Sequence, residues 1–158
     1  MNNLIDWLPK NLPSEKRTGI VHGDYSLTNV MIGKNDPNVI AILDWELSTL
    51  GDPCADFNYH CLQYTMNPKL ADKAYCKNQG IPVIDDYVKM YTEKINIDLT
   101  EEWNLYSAYN LFKLAGILQG ILGRVRDGTA AHENAAERAS GVRNLSDKAW
   151  DLVKKNFL

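Results

Sequence analysis

Apolar residues recur along this chain with two different rhythms. Leu4, Ile5, Trp7 and Leu8 have helical spacing and predict a short amphipathic helix, ended by Pro9 and followed by a polar stretch to Thr18. Gly19-Ile20-Val21 is a brief β-like run. A polar, turn-rich loop then covers His22 to Asn29. Val30-Met31-Ile32 predicts a strand and Gly33-Lys34-Asn35-Asp36-Pro37-Asn38 a turn. Val39 to Leu43 predicts a second strand, apolar enough to be buried on both faces. From Asp52 the rhythm becomes helical. Asp52-Pro53 reads as an N-cap followed by proline at the first helical position, opening a helix that carries Ala55, Phe57, Tyr59 and Leu62 and stops before Pro68. Further helices are expected over Leu70–Lys77, closed by Gly80, and over Ile84–Ile95. A long one should run from Thr100–Trp103 to Arg126, closed by Asp127-Gly128. The last should start at Thr129 or Ala130 and run to Asn156, with Gly141 as its point of interruption. A small β-hairpin unit thus precedes a helical bundle, an α+β pattern with no repeat, linker or low-complexity segment.

Composition narrows the class without naming a function. The 158 residues suit one domain, and the 45% apolar and 23% charged fractions are ordinary for a globular protein. A net charge of −3 with scattered Lys and Arg gives no reason to expect nucleic acid or an anionic membrane surface. The N-terminus has no signal-peptide pattern, and the most apolar stretch, Leu111 to Leu122, is interrupted by Lys113 and Gln119, so no membrane span is expected. Cys54, Cys61 and Cys76 are odd in number and lack framework spacing, which points to reduced thiols and a cytoplasmic setting. His60 lies beside them, but without a CxxC pair they read as buried structural cysteines rather than zinc ligands.

Asp24, Asn29 and Asp44 carry the candidate chemistry. If 30–33 and 39–43 pair as an antiparallel hairpin, Asn29 and Asp44 should lie opposite each other, with Cα atoms about 4.5–5.5 Å apart. An amide oxygen and a carboxylate side by side are hard ligands of the kind that hold Mg²⁺ on a nucleotide, the rest coming from water and phosphate. Asp24, five residues before Asn29, would hang over that pair. Phosphoryl transfer needs an oxygen-bound metal and a carboxylate that orients the acceptor hydroxyl and takes its proton. An acid in a loop, an Asn five residues on and a hairpin leading to a second Asp is the protein-kinase catalytic loop in outline.

Three boxes in order make this pattern specific: His22-Gly23-Asp24-Tyr25-Ser26-Leu27-Thr28-Asn29, then Ile42-Leu43-Asp44-Trp45-Glu46, then Gly51-Asp52-Pro53 with Asp56-Phe57. With them the chain resembles the aminoglycoside phosphotransferase and choline kinase-like family, above all the kinase-like domains associated with acyl-CoA dehydrogenases. The resemblance covers the chain as a mainly helical C-terminal lobe of a protein kinase-like fold, by motif as far as Tyr64 and by character beyond. It implies that Asp24 is the catalytic base, that Asn29 and Asp44 are magnesium ligands, and that His22 and Gly23 shape the loop. Asp56 would brace the loop by hydrogen bonding, and Asp52 is structural. Glu46 stays open between metal, substrate and solvent. Beside these, Gly116, Gly120 and Gly123 read as a helix-packing strip, His60 and His132 as lone histidines of core or surface, and Ser26 as lacking the base a hydrolase would need. The aromatics read as core, with one or two lining a substrate cleft.

Family members grip ATP with a smaller N-terminal lobe carrying a glycine-rich loop and a strand lysine. Residues 1–21, which precede His22, contain neither. The expectation is therefore a catalytic, substrate-side lobe for ATP- and Mg²⁺-dependent transfer to a small-molecule hydroxyl. Alone it should bind ATP weakly or not at all, and its partner should be the absent N-terminal lobe, whether the chain is an expressed fragment, a truncated gene product or a free-standing lobe. An apolar patch beside Asp44, open to self-association, is expected with it. The alternative is a non-catalytic binding or regulatory module on the same scaffold. Retention of Asp24, Asn29 and Asp44 speaks against it, and the want of a nucleotide lobe speaks for it.

Overall fold

Asp52 shows how local chemistry starts the helical part of the chain. Its carboxylate accepts from the backbone N–H of Cys54 at 2.9 Å, capping a helix whose first residue is Pro53, and it also receives the Arg17 guanidinium at 3.0–3.2 Å. The structure is a computed structural model that describes residues 1–13, 17–130 and 134–158. The chain divides into two compact units, residues 14–101 and residues 1–13 with 102–158.

The unit of residues 14–101 holds four short strands: β1 (Gly19–Val21), β2 (Val30–Ile32), β3 (Val39–Ile42) and β4 (Thr49–Gly51). They form two antiparallel pairs, β1 with β4 and β2 with β3. Single 3-10 turns at Leu27–Asn29 and Trp45–Leu47 flank the hairpin. The helix from the Asp52 cap, α2, spans Pro53–Met66 and buries Cys54, Phe57, Asn58, Cys61 and Leu62. α3 (Pro68–Ala71), α4 (Lys73–Asn78) and α5 (Ile84–Ile95) follow. One expected helix over 70–77 is thus two, because Asp72 leaves the helical conformation and caps α4 by accepting from Ala74 and Tyr75. Gly80, at φ +67°, closes that region as expected.

The other unit is helical. α1 (Asn2–Trp7) continues into a 3-10 turn at Leu8–Lys10, so Pro9 tightens the helix end rather than terminating it. α6 (Trp103–Arg126) and α8 (Val142–Phe157) form its main packing pair, with α7 (Ala135–Arg138) and a 3-10 turn at Ala139–Gly141 leading into α8. The expected interruption at Gly141 is there. Leu4, Leu111, Ala115, Ala149 and Val153 are fully buried, each large aliphatic side chain contributing about 1.5–3 kcal/mol by leaving water. Trp7 meets Phe157 with ring centroids 5.3 Å apart. The glycine strip on α6 does not behave as expected. Among the described residues, a methyl group at Gly116 or Gly123 would meet nothing within 4 Å, so no described element packs against them.

A second correction concerns the hairpin. Val39 and Ile40 are exposed, Ile40 by 63%, and β3 stops at Ile42, so this strand is not buried on both faces. A two-stranded ribbon has no second layer of its own to cover it. The cysteines match expectation: Cys54, Cys61 and Cys76 are free and buried, and burial pushes the first two thiols up to about 11 and about 12.

Candidate active site

The loop between β1 and β2 is held from two sides. Asp56, in the first turn of α2, accepts from the backbone N–H of His22 with one carboxylate oxygen and from that of Gly23 with the other, the latter at 3.0 Å. The His22 ring accepts from the Asp24 N–H at Nδ1, at 3.2 Å. That acceptor role leaves the ring proton on Nε2, which donates to the Leu43 carbonyl at 2.7 Å. Gly23 sits at φ +85°, where its missing side chain matters twice over: a Cβ would also overlap the Leu47 carbonyl oxygen.

Asn29 ends the loop. Its Nδ2 donates to the Asp24 backbone carbonyl at 2.9 Å and to Asp24 Oδ2 at 3.2 Å. With the amide nitrogen committed to Asp24, the amide oxygen is the atom left for another ligand. Asp24 and Asn29 are therefore brought together as the spacing anticipated. Asn29 and Asp44 do not sit opposite each other. β2 and β3 pair Val30 with Ile42, and the Leu43 N–H donates to the Asn29 carbonyl at 2.8 Å. Asn29 thus faces Leu43, and Asp44 lies one residue beyond. The turn sets Ile32 opposite Val39, two positions short of the pairing that would put Asn29 against Asp44, and the register shift between Met31 and Ile32 recovers only one of them.

Asp44 itself adopts the left-handed conformation, φ 68° and ψ 52°, which Asp tolerates better than most residues. It turns the chain out of β3 into the 3-10 turn, and its side chain is exposed. Glu46 lies in that turn, also exposed. Trp45 bonds the Ile42 carbonyl through Nε1 at 2.8 Å, and its ring centroid is 4.7 Å from that of His22. No group of three or more His, Cys, Asp or Glu side chains that could hold a metal occurs among the described residues. One amide oxygen and one exposed carboxylate, completed by water and phosphate oxygens, do fit in kind what Mg²⁺ on a nucleotide requires.

Several partners were not apparent from spacing alone. The Tyr59 phenol is pushed up to about 12, by burial first and then by hydrogen bonding with Asp24 and its charge. His60 is not a lone histidine: Tyr87 Oη lies 3.2 Å from its Nε2 and the Tyr25 ring 5.6 Å from its own, while burial lowers its pKa. His132 lies outside the described residues. The signal for Tyr59 and His60 was present as the i, i+3, i+4 spacing from Asp56 along one helix face. In the same unit a cavity of about 430 Å³ is lined by His22, Tyr25, Trp45, Phe57, Tyr87 and Tyr91, among others, with Lys94 as its basic residue. Phe57 and Tyr91 stack with centroids 3.7 Å apart.

A profile of the phosphotransferase enzyme family matches residues 1–105, two thirds of the chain and the whole of the loop, hairpin and α2. The chain belongs to that family. The chain is 38% identical, over 98% of its length, to mouse acyl-CoA dehydrogenase family member 10, and 34% identical, over 99%, to human acyl-CoA dehydrogenase family member 11. It is also 34% identical, over 98%, to the Arabidopsis thaliana protein named probable acyl-CoA dehydrogenase IBR3. It spans only 15%, 21% and 19% of those three proteins. A crystal structure from Ralstonia eutropha JMP134, described as an aminoglycoside phosphotransferase, superposes with a TM-score of 0.89 at 41% identity, covering 99% of this chain and 49% of that one. The α+β, mainly helical fold is therefore that of the family, and the chemistry it supports is kinase-like phosphoryl transfer.

Proposed function

We propose that this lobe supplies the magnesium-binding and acceptor-binding side of an ATP-dependent phosphotransferase acting on a hydroxyl of a small molecule. Turnover would require the nucleotide-gripping lobe that family enzymes place before the catalytic loop. The observation that carries the reading is the bond from the Asn29 amide to Asp24, which turns the amide oxygen away from the base on a loop pinned by Asp56 and His22. Asn29 and Asp44 would hold the ion. Mg²⁺-ATP, when bound, supplies the phosphoryl group and neutralises its charge. Asp24 orients the acceptor hydroxyl and takes its proton as the oxygen bonds to phosphorus, the ADP oxygen leaving with the electron pair. The aromatic cavity lined by α2 and α5 is the acceptor side of the lobe. Buried free thiols agree with a cytoplasmic setting, and no helix among the described residues is long and apolar enough to cross a membrane.

The test is Asp24→Ala in the longer protein that carries this lobe, with MgATP and a panel of hydroxyl compounds, scored by ADP release. Transfer should fall by roughly 10²–10⁴-fold while circular dichroism is unchanged. Turnover near the wild-type value would remove Asp24 from this role.

A further inference from the structure

The cavity of about 430 Å³ in the unit of residues 14–101 is walled by rings that are already held in place. One stripe of α5, with Tyr87, Met90, Tyr91 and Lys94 at helical spacing, lines one side. Phe57 of α2 backs that stripe: Tyr91 stacks on it at 3.7 Å and Tyr87 meets it edge-on at 5.3 Å. Trp45, in the turn after β3, adds a further wall, its ring fixed by the Nε1 bond to the Ile42 carbonyl and by His22 at 4.7 Å. An apolar cavity of about 150 Å³ takes benzene, so this one has room for a ring and its substituents. Rings fixed beforehand offer π faces and edges without being reordered, which favours a flat aromatic guest over a flexible one. The cavity also adjoins the catalytic loop, since His22 and Tyr25, on either side of Gly23-Asp24, both line it.

Charge sets what else the guest carries. Asp56 is the one carboxylate among the lining residues, and both of its oxygens already accept backbone N–H groups, from His22 and Gly23. Lys94 is the one lysine or arginine there, and among the described residues it has no ion-pair partner. Aromatic faces alone would suit a quaternary ammonium group as well as a neutral ring. An unpaired ammonium on the same wall repels that cation and attracts an anion. We propose that the acceptor is an aromatic alcohol carrying a negative group, with its ring against Trp45, Tyr87 and Tyr91, its anion toward Lys94 and its hydroxyl toward Asp24. The proposal rests on the phosphotransfer role given to Asp24 above. The alcohol oxygen bonds to the γ-phosphorus of MgATP, its proton passes to Asp24, and ADP leaves with the electron pair, so the product is a phosphate monoester. A polycationic amino sugar finds no free carboxylate in this cavity. Lys94 also lies in the last turn of α5, where a cation meets the helix carbonyls. That service to the helix end would not discriminate between ligands, so charge reversal separates the two roles.

The experiment uses the longer protein carrying this lobe. Isothermal titration measures the binding of para-hydroxymethylbenzoate, benzyl alcohol, choline and kanamycin, and ADP release with MgATP measures transfer. In wild type, para-hydroxymethylbenzoate should bind roughly threefold to fivefold more tightly than benzyl alcohol, and more tightly than choline or kanamycin. Lys94→Glu should remove that advantage and leave benzyl alcohol binding as it was. Trp45→Leu should weaken both aromatic alcohols together. A preference for choline or kanamycin would overturn the proposal, and so would no binding of para-hydroxymethylbenzoate at millimolar concentration. An advantage that survives Lys94→Glu, or aromatic binding untouched by Trp45→Leu, would place the ligand elsewhere and overturn it as well. Binding that does not stimulate ADP release in wild type would overturn it as a statement about the acceptor. Asp24→Ala should keep the binding and lose the stimulated ADP release. Stimulated release that persists in Asp24→Ala would sink the role of Asp24 instead, with the ligand preference left standing.

Discussion

Gly23 is the residue with the least freedom to change. Its φ of +85° lies where a side chain costs about 1–2 kcal/mol, and a Cβ there would overlap the Leu47 carbonyl oxygen. Gly23→Ala should therefore lower stability by at least about 1–2 kcal/mol in denaturant titration, and should displace Asp24 enough to cost most of the transfer activity. An unchanged midpoint with full activity would contradict this account. At this scale the sequence was legible wherever a residue's role depends on its neighbours along the chain. The turn formers between His22 and Asn29 marked the loop, and Asp52-Pro53 marked the cap, both as the structure has them. Tyr59 was harder to see because its partner is distant in sequence, and only its helical spacing from Asp56 marked it.

At the scale of elements, α2 does the most positioning, and its start depends on Asp52. That side chain caps the helix at Cys54 and binds Arg17, with both charged groups more than three quarters shielded from solvent. Asp52→Ala should destabilise by about 1–2 kcal/mol through the lost cap, read as a lower thermal midpoint, with the loss of the Arg17 ion pair adding to it. A midpoint equal to wild type would mean that the cap is replaced by another group. Helix ends marked by caps and glycines were read correctly from sequence, as the start of α2 and the end of α6 show. Two features escaped. β4 is three residues long and has no period to detect. The turn sets Ile32 against Val39, two positions short of the expected register, and the shift between Met31 and Ile32 recovers only one, so the expected facing of Asn29 and Asp44 missed by one position. Pattern settles which residues form a strand more firmly than which residues they face.

At the scale of the molecule, the unit of residues 14–101 wears much of its apolar surface outside. Ile20 is 69% exposed, Leu50 74% and Ile40 63%, and Leu43, Trp45 and Leu47 around Asp44 are also open. A net charge of only −3 gives little repulsion between copies. The chain should therefore self-associate, with sedimentation velocity showing mass rising with concentration and Ile40→Lys reducing the effect. A single monomer peak at high concentration would contradict this. Whatever covers that surface will also act on the loop, because His22 joins the two. Its Nε2–H grips the end of β3 at Leu43, while its own backbone N–H is anchored to α2 through Asp56. An imidazole bonded at both ends works as a crankpin: pressure on the ribbon would be passed to Asp24, the residue proposed to take the proton, two positions away.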